Sequence, residues 1–172
     1  MQHIPVDGHD GPYPAPLTVA QLTVRPEWID HNGHMNVGYY GIAFDQAADV
    51  LFLDHLGIGV RYIEEMKQGP FVLQAHTMFL NELREGETFS VAFRLLDHDA
   101  KRLHFFAEMT RDADGTLCAT QEVVSVNVDH ASRRSTSYPD WVIARLERMK
   151  ADHAGLAPSP YLNRPIGLSR KG

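Results

Sequence analysis

The sequence lacks the features of several protein classes. Its 172 residues contain a single cysteine, Cys118, so no disulfide can form within the chain. No segment approaches the run of about 18 apolar residues that a transmembrane helix needs. The first residues have neither the basic nor the apolar region of a secretion signal. We therefore expect a cytoplasmic protein with no membrane partner.

Basic residues are also scarce. Sixteen Lys and Arg stand against 22 Asp and Glu, which gives a net charge of -6. A nucleic-acid-binding domain needs a basic surface, so we expect no nucleic-acid partner. With 44% hydrophobic and 22% charged residues, the composition is that of a globular protein and excludes disordered, collagen-like and coiled-coil chains.

Proline marks the ends of the chain. Seven of the ten prolines lie within the first sixteen or the last fifteen residues. We therefore expect an N-terminal tail over residues 1–16, a single domain over residues 17–153 and a C-terminal tail over residues 154–172. The central part is long enough to bury one sizeable core.

Residues 37–56 form the longest apolar segment, and its apolar positions recur with the period of an α-helix. Asn36 is a suitable N-cap, and Gly57 is suited to end the helix. Strand patterns precede it at 17–25 and follow it at 71–80, 88–95, 103–109 and 123–128, and Pro139 opens a short amphipathic helix. This order predicts an α+β fold, in which a curved antiparallel sheet of about five strands wraps around one long central helix.

The densest group of polar side chains lies directly before the long helix, over residues 30–36. Asp30 could act as a nucleophile or general base, while Asn32 and His34 orient it or a water molecule. Gly33 would let the backbone turn sharply. The alternative is a polar turn that only caps the helix.

The start of the predicted helix offers unpaired N–H groups and the positive end of the helix dipole. The backbone N–H groups of Val37, Gly38 and Tyr39 could therefore stabilise an oxyanion, and we favour Gly38 and Tyr39. His31 and His34 have a spacing that also occurs in metal sites, but no Cys or Glu accompanies them. We expect no metal and no cofactor.

The string DHNGHMNVGYY, followed by a long apolar helix, resembles the D-x-N-x-H-x-N-x-x-Y signature of hotdog-fold acyl thioesterases of the hydroxybenzoyl-CoA and acyl-ACP thioesterase type. The likeness extends over about residues 17–128 and includes the turn at 82–87. It implies the hotdog fold and hydrolysis of an acyl-CoA thioester, with CoA bound only as part of the substrate. Asp30 takes the position of the catalytic aspartate, and Asn32 and His34 take the polar positions of the acyl-ACP branch.

The likeness is incomplete in one place. The acyl-ACP branch carries a further acidic residue on the strand after the helix, where this sequence has Leu80 or a neighbour, with Gln74 and His76 as the nearest polar residues. A different branch carries its carboxylate within the helix itself. That branch makes Asp45, one turn before Asp49, the alternative nucleophile.

The chain is also similar to bacterial hotdog proteins that hydrolyse betainyl-CoA in carnitine breakdown, some of them fused to carnitine dehydrogenase. The trimethylammonium group of that substrate would need an aromatic box. Aromatic residues close to the motif could supply the box or could belong to the core, and Asn36 and His76 are further candidates for substrate binding. The aromatic candidates are Trp28, Tyr39, Tyr40, Phe44 and Phe71.

Two adjacent basic pairs, Lys101 with Arg102 and Arg133 with Arg134, could bind the CoA phosphates or could be ordinary exposed charges. The resemblance further implies a homodimer or a dimer of dimers, with a site between two chains and tails that could cross the partner. Two alternatives stay open. One is a hotdog hydratase, whose motif D-x-N-P-x-H is one residue longer and contains a proline that is absent here; the other is a non-catalytic binder of an acyl or betaine ligand.

Overall fold

A computed structural model describes residues 7–168. Within that range the chain forms a six-stranded antiparallel sheet in the order β1-β3-β4-β5-β2, with β6 beside β5. The expected curved antiparallel sheet is confirmed, with one further short strand. The strands are β1 Leu17–Thr23, β2 Gln68–Phe79, β3 Thr88–His98, β4 Arg102–Arg111, β5 Leu117–Asp129 and β6 Arg134–Ser135.

The long helix is confirmed as well. Helix α1, Val37–Val50, continues without a break into a π-helical turn, Leu51–Leu56. Asn36 caps its start, and Gly57 ends it with a φ of 72°, a left-handed conformation that favours glycine. The side chains that face the sheet are buried, among them Tyr40, Phe44, Ala47 and Leu51.

Alternate residues of the strands are buried, as the alternating sequence pattern predicted. Along β3 the alternate residues Phe89, Val91, Phe93 and Leu95 are buried in the core. The β3–β4 turn is held by Asp99, whose carboxylate accepts hydrogen bonds from the following backbone N–H groups.

Two helices complete the fold. Helix α2, Val60–Met66, lies between α1 and β2 and was not predicted, because seven residues carry too few turns for a clear apolar period. Helix α3, Asp140–His153, begins directly after Pro139 as predicted, and it buries Val142, Leu146 and Met149.

The described parts of both tails pack against the body of their own chain. The Tyr13 side chain is buried in the core, and its backbone N–H donates a hydrogen bond of 2.8 Å to Asp152 on α3. At the other end, Ser159 donates to Glu108 over 2.9 Å, and the Asn163 N–H donates to Glu122 over 2.9 Å. The C-terminal tail therefore crosses strands β4 and β5.

Strand β2 forms one edge of the sheet. Unlike the inner strands it exposes large apolar side chains, with 61% of Val72, 60% of Leu73 and 51% of Phe79 accessible to solvent. An exposed apolar edge of this length is a surface that natural proteins normally cover. Within residues 7–168, no helix combines the length and the hydropathy that crossing a bilayer requires.

Candidate active site

The segment before α1 folds into a tight turn. The Gly33 N–H donates a hydrogen bond of 3.0 Å to the Asp30 carbonyl, and the Asp30 N–H donates one of 3.2 Å to the His34 carbonyl. Gly33 has a φ of 79°, which a residue with a side chain adopts only at a cost. Ile29 pairs with Met35 in a single β-bridge that closes the turn.

Two hydrogen bonds fix the Asp30 carboxylate, which is half-buried. Its Oδ1 accepts a bond of 2.7 Å from the Asn32 backbone N–H, and its Oδ2 accepts one of 3.0 Å from Asn36 Nδ2. Both donors favour the charged form, so they hold the pKa of Asp30 below its usual value. Asp30 is therefore an oriented, ionised carboxylate at neutral pH.

Asn36 connects this carboxylate with the start of α1. While Nδ2 of Asn36 binds Asp30, its Oδ1 accepts from the Gly38 N–H over 3.0 Å, and its carbonyl accepts from the Tyr39 N–H over 3.0 Å. The two N–H groups that we favoured for an oxyanion site are thus already engaged. Among residues 7–168, nothing accepts a hydrogen bond from the Val37 N–H, which leaves it available at the positive end of the helix.

His34 lies on the other side of the turn. Its Nδ1 donates a hydrogen bond of 3.2 Å to the Met35 carbonyl, and its ring borders a cavity of about 370 Å³ together with Glu82. The bond from Arg84 and the nearby His34 hold the pKa of Glu82 below its usual value. Glu82 lies two residues beyond Leu80 in the sequence, so this cavity has a carboxylate at its border.

The aromatic candidates form separate groups in this chain. Trp28 stacks on Tyr39 with ring centroids 5.7 Å apart and is covered by Arg25. Tyr40 is buried, and its hydroxyl accepts a hydrogen bond of 3.2 Å from the Leu83 N–H.

Phe71 lies on β2, away from these residues. The guanidinium carbon of Arg133 is 5.5 Å from the centroid of its ring, and the ring of His130 is also in contact with it. Among the described residues no ring contact joins Phe71 to Trp28 or Tyr39. These residues therefore do not assemble a box within one subunit.

Gln74 and His76 lie on the face of the sheet away from α1. They line a cavity of about 410 Å³ together with His104 and Glu122, which form a hydrogen bond of 2.8 Å. Ala75, between them, also borders the cavity beneath α1, whereas neither Gln74 nor His76 belongs to the wall of that cavity. Strand alternation therefore separates Gln74 and His76 from the helix side of the sheet.

The two basic pairs share one end of the sheet. The Lys101 carbonyl accepts from the backbone of β5 next to β6, which begins at Arg134. Arg102 forms an ion pair of 2.6 Å with Asp99. The Asp30 turn lies at the opposite end, beyond the 12 residues of β2, which span about 36 Å.

A large cavity of about 540 Å³ lies between α1 and the sheet. Apolar residues form most of its wall, and four polar side chains interrupt them: Asp45, Asp49, Gln121 and Ser125. The β5 residues Ser125 and Gln121 carried no signal in the sequence, because only the sheet register brings them beneath the helix.

The described residues do not favour a metal site or a cysteine nucleophile. Within residues 7–168, no group of three or more His, Cys, Asp or Glu side chains is placed to hold a metal ion. Cys118 is buried, and burial raises the pKa of its thiol, which disfavours the reactive thiolate.

Comparison with known proteins adds independent information. The sequence profile of the thioesterase-like superfamily matches residues 24–146. The chain is 33% identical over 152 residues to the betainyl-CoA thioesterase of Pseudomonas aeruginosa, covering 88% of this chain and 95% of that protein. It is 30% identical over 155 residues to the L-carnitine dehydrogenase/betainyl-CoA thioesterase of Rhizobium meliloti, covering 90% of this chain and 31% of that larger protein. A Staphylococcus aureus protein solved in complex with CoA superposes with a TM-score of 0.81 at 30% identity, covering 88% of this chain and 94% of that chain.

Proposed function

Because the chain belongs to the thioesterase-like superfamily, we propose that it hydrolyses a small acyl-CoA thioester to the free acid and CoA, with betainyl-CoA as its substrate. The observation that carries the proposal is the pairing of an ionised, oriented Asp30 with a free N–H group at the start of α1. Thioester hydrolysis needs these two elements, a base or nucleophile at the carbonyl carbon and a donor at its oxygen.

The reaction follows from these positions. Asp30 either removes a proton from the attacking water or attacks the carbonyl carbon itself, in which case water later releases the acid. The Val37 N–H and the helix dipole stabilise the negative charge that develops on the carbonyl oxygen. The C–S bond breaks, and the CoA thiolate leaves and takes up a proton. Asn36 keeps the carboxylate and the helix start in one fixed geometry.

The size of the large cavity supports a small acyl group. Its volume of about 540 Å³ lies towards the lower end of the usual range for small-molecule sites. Both of the named relatives are betainyl-CoA thioesterases, and one of them matches this chain over almost its whole length. These relatives support betainyl-CoA as the proposed substrate.

We also propose that the working unit contains two chains paired through β2. The exposed apolar residues of this edge strand would be buried by antiparallel pairing with a second copy. Such pairing sets the Gln68 end of one β2 beside the Phe79 end of the other. The basic pairs of one chain then approach the Asp30 turn of its partner, where the CoA phosphates need them.

The test is release of free thiol from a panel of acyl-CoA thioesters that includes betainyl-CoA and short aliphatic, aromatic and long-chain esters. Asp30→Asn should abolish hydrolysis while the protein stays folded. Asp114→Asn is the matched control, because Asp114 holds a similar turn through the Thr116 N–H at the β4–β5 hairpin. An active Asp30→Asn enzyme would contradict the assignment, and loss of enoyl absorbance without thiol release would indicate a hydratase.

A further inference from the structure

The large cavity has aromatic walls that were not recognised as a group in the sequence. The phenyl rings of Phe44, Phe52 and Phe105 line it from the helix and from β4. Phe52 and Phe105 meet edge to face with ring centroids 6.1 Å apart. Ring faces attract a cation, most strongly one that is poorly hydrated.

Two carboxylates lie at the open side of the same cavity. Asp45 and Asp49 are one helical turn apart on the exposed face of α1, and no Lys or Arg belongs to the described cavity wall. Within residues 7–168 neither carboxylate has a hydrogen-bond or ion-pair partner. Partial burial and the charge of Asp45 raise the pKa of Asp49, as expected for two like charges without a counter-ion.

Ser125 supplies an independent indication of a ligand. Its side chain is only 2% exposed and belongs to the cavity wall, yet its Oγ has no hydrogen-bond partner among the described residues. A buried hydroxyl without a partner is costly, so such groups usually serve a bound molecule. Its oxygen can accept weak hydrogen bonds from the polarised methyl groups of an alkylammonium ion.

We propose that this cavity binds the quaternary ammonium group of the acyl part, with Asp45 and Asp49 as the charge partners, the phenyl rings as the walls and Ser125 at the base. This inference rests on the proposed thioesterase function and identifies the residues that select the substrate. A quaternary ammonium ion has no N–H donors, so it needs negative charge and aromatic faces rather than directed acceptors. The cavity offers both.

The betainyl group is too short to extend from Val37 to Asp45 of the same chain. We therefore assign these carboxylates to a site shared by two chains. Asp45 lies eight residues beyond Val37, or about 12 Å along the helix axis, whereas the ammonium nitrogen of betainyl-CoA is two bonds from the thioester carbonyl. Two α1 helices that cross antiparallel at Gly41 bring Asp45 of one chain beside Val37 of the other. Gly41 is exposed, and the space around its missing side chain is open, so close approach is possible.

The kinetic test compares betainyl-CoA with its uncharged isostere 3,3-dimethylbutanoyl-CoA. Asp45→Asn and Asp49→Asn should each raise KM for betainyl-CoA by about tenfold and leave kcat/KM for the isostere within about twofold. Asp54→Asn, an exposed carboxylate of the π-helical turn outside the cavity wall, is the control and should change neither. Equal loss of both activities in Asp45→Asn would overturn the proposal and make Asp45 a catalytic group.

A binding measurement separates this proposal from the thioesterase function. Calorimetric titration with tetramethylammonium chloride should show binding to the wild-type protein, weaker binding to Ser125→Ala and almost none to the Asp45→Asn/Asp49→Asn double variant. If tetramethylammonium binds in this pattern but no thioester is hydrolysed, the cation site stands and the proposed enzyme function falls. If thioesters are hydrolysed but tetramethylammonium does not bind, the cation site is wrong.

Discussion

Asn36 Nδ2 donates a hydrogen bond of 3.0 Å to Asp30 Oδ2, while the other side-chain atom of Asn36 caps α1 through the Gly38 N–H. One side chain thus holds both the carboxylate and the helix start that the proposed reaction uses. The geometry explains why the pKa of Asp30 is lowered, because both carboxylate oxygens accept hydrogen bonds. Substitution of Asn36 should therefore affect both the Asp30 carboxylate and the start of α1.

Asn36→Ala should lower kcat and shift the acid limb of the pH–rate profile upward. Loss of the bond to Asp30 removes part of the stabilisation of its charged form, so the pKa of Asp30 rises towards its usual value. Loss of the cap should also cost about 1 kcal/mol of stability. Asn36→Ser separates the two effects, because serine can still cap the helix. An unchanged acid limb in both variants would contradict the role of Asn36.

Hydrolysis at a low betainyl-CoA concentration should recover when two impaired variants are mixed. If Asp30 of one chain works with Asp45 and Asp49 of its partner, a heterodimer of Asp30→Asn and the Asp45→Asn/Asp49→Asn double variant contains one intact site. Co-refolding equal amounts makes about half of the dimers mixed, each with one intact site in two, so hydrolysis well below the KM of the double variant should reach about a quarter of the wild-type level. Mixing Asp30→Asn with itself is the control. Absence of any recovery, with heterodimers present, would show that the site belongs to a single chain.

Leu73→Lys should convert the protein to a monomer and remove its activity. Leu73 is 60% exposed on β2 and lies outside the wall of the large cavity, so a lysine there is tolerated in an isolated chain but disfavours pairing of this edge. Ile166→Lys, at another exposed apolar position, is the control and should keep the wild-type mass. The measurement is light scattering coupled to size exclusion; a variant with unchanged mass and full activity would exclude β2 as the interface.

Stability should fall as the pH drops below about 6.5, and His153 should contribute to the fall. Its buried ring accepts from the Leu95 N–H at Nδ1 over 2.9 Å and donates to the Pro14 carbonyl at Nε2 over 2.8 Å, so the neutral form fits. Burial lowers the pKa of His153, so its contribution is present above the unfolded-state pKa and is lost as the pH falls through the folded-state pKa.

The measurement for His153 is the urea midpoint at several pH values between 5 and 8. His153→Gln, which can keep one donor and one acceptor without titrating, should reduce the dependence on pH. His55, whose pKa is also lowered by burial, should account for part of the remainder. If the midpoint of His153→Gln falls with pH as steeply as that of the wild type, His153 does not control it.

The sequence by itself determined the features that depend on neighbouring residues. The long helix from Val37 to its end at Gly57 followed from apolar period and capping, and the strands followed from alternation between turn residues. The Asp30 turn was also readable, since its hydrogen bonds join residues within six positions of one another. Local preferences alone produce these features.

Only the tertiary structure decided which distant residues meet. The sheet register brought Ser125 of β5 and Phe105 of β4 beneath the helix that carries Asp45, and strand alternation turned His76 to the opposite face. Phe71 of β2 has no ring contact with the stacked pair Trp28 and Tyr39 among the described residues, because the fold places β2 and the start of α1 apart at this point. Packing of the whole core fixes which strands pair and in which register, and no local sequence pattern specifies this. The cavity and its polar groups could therefore be identified only in the folded chain.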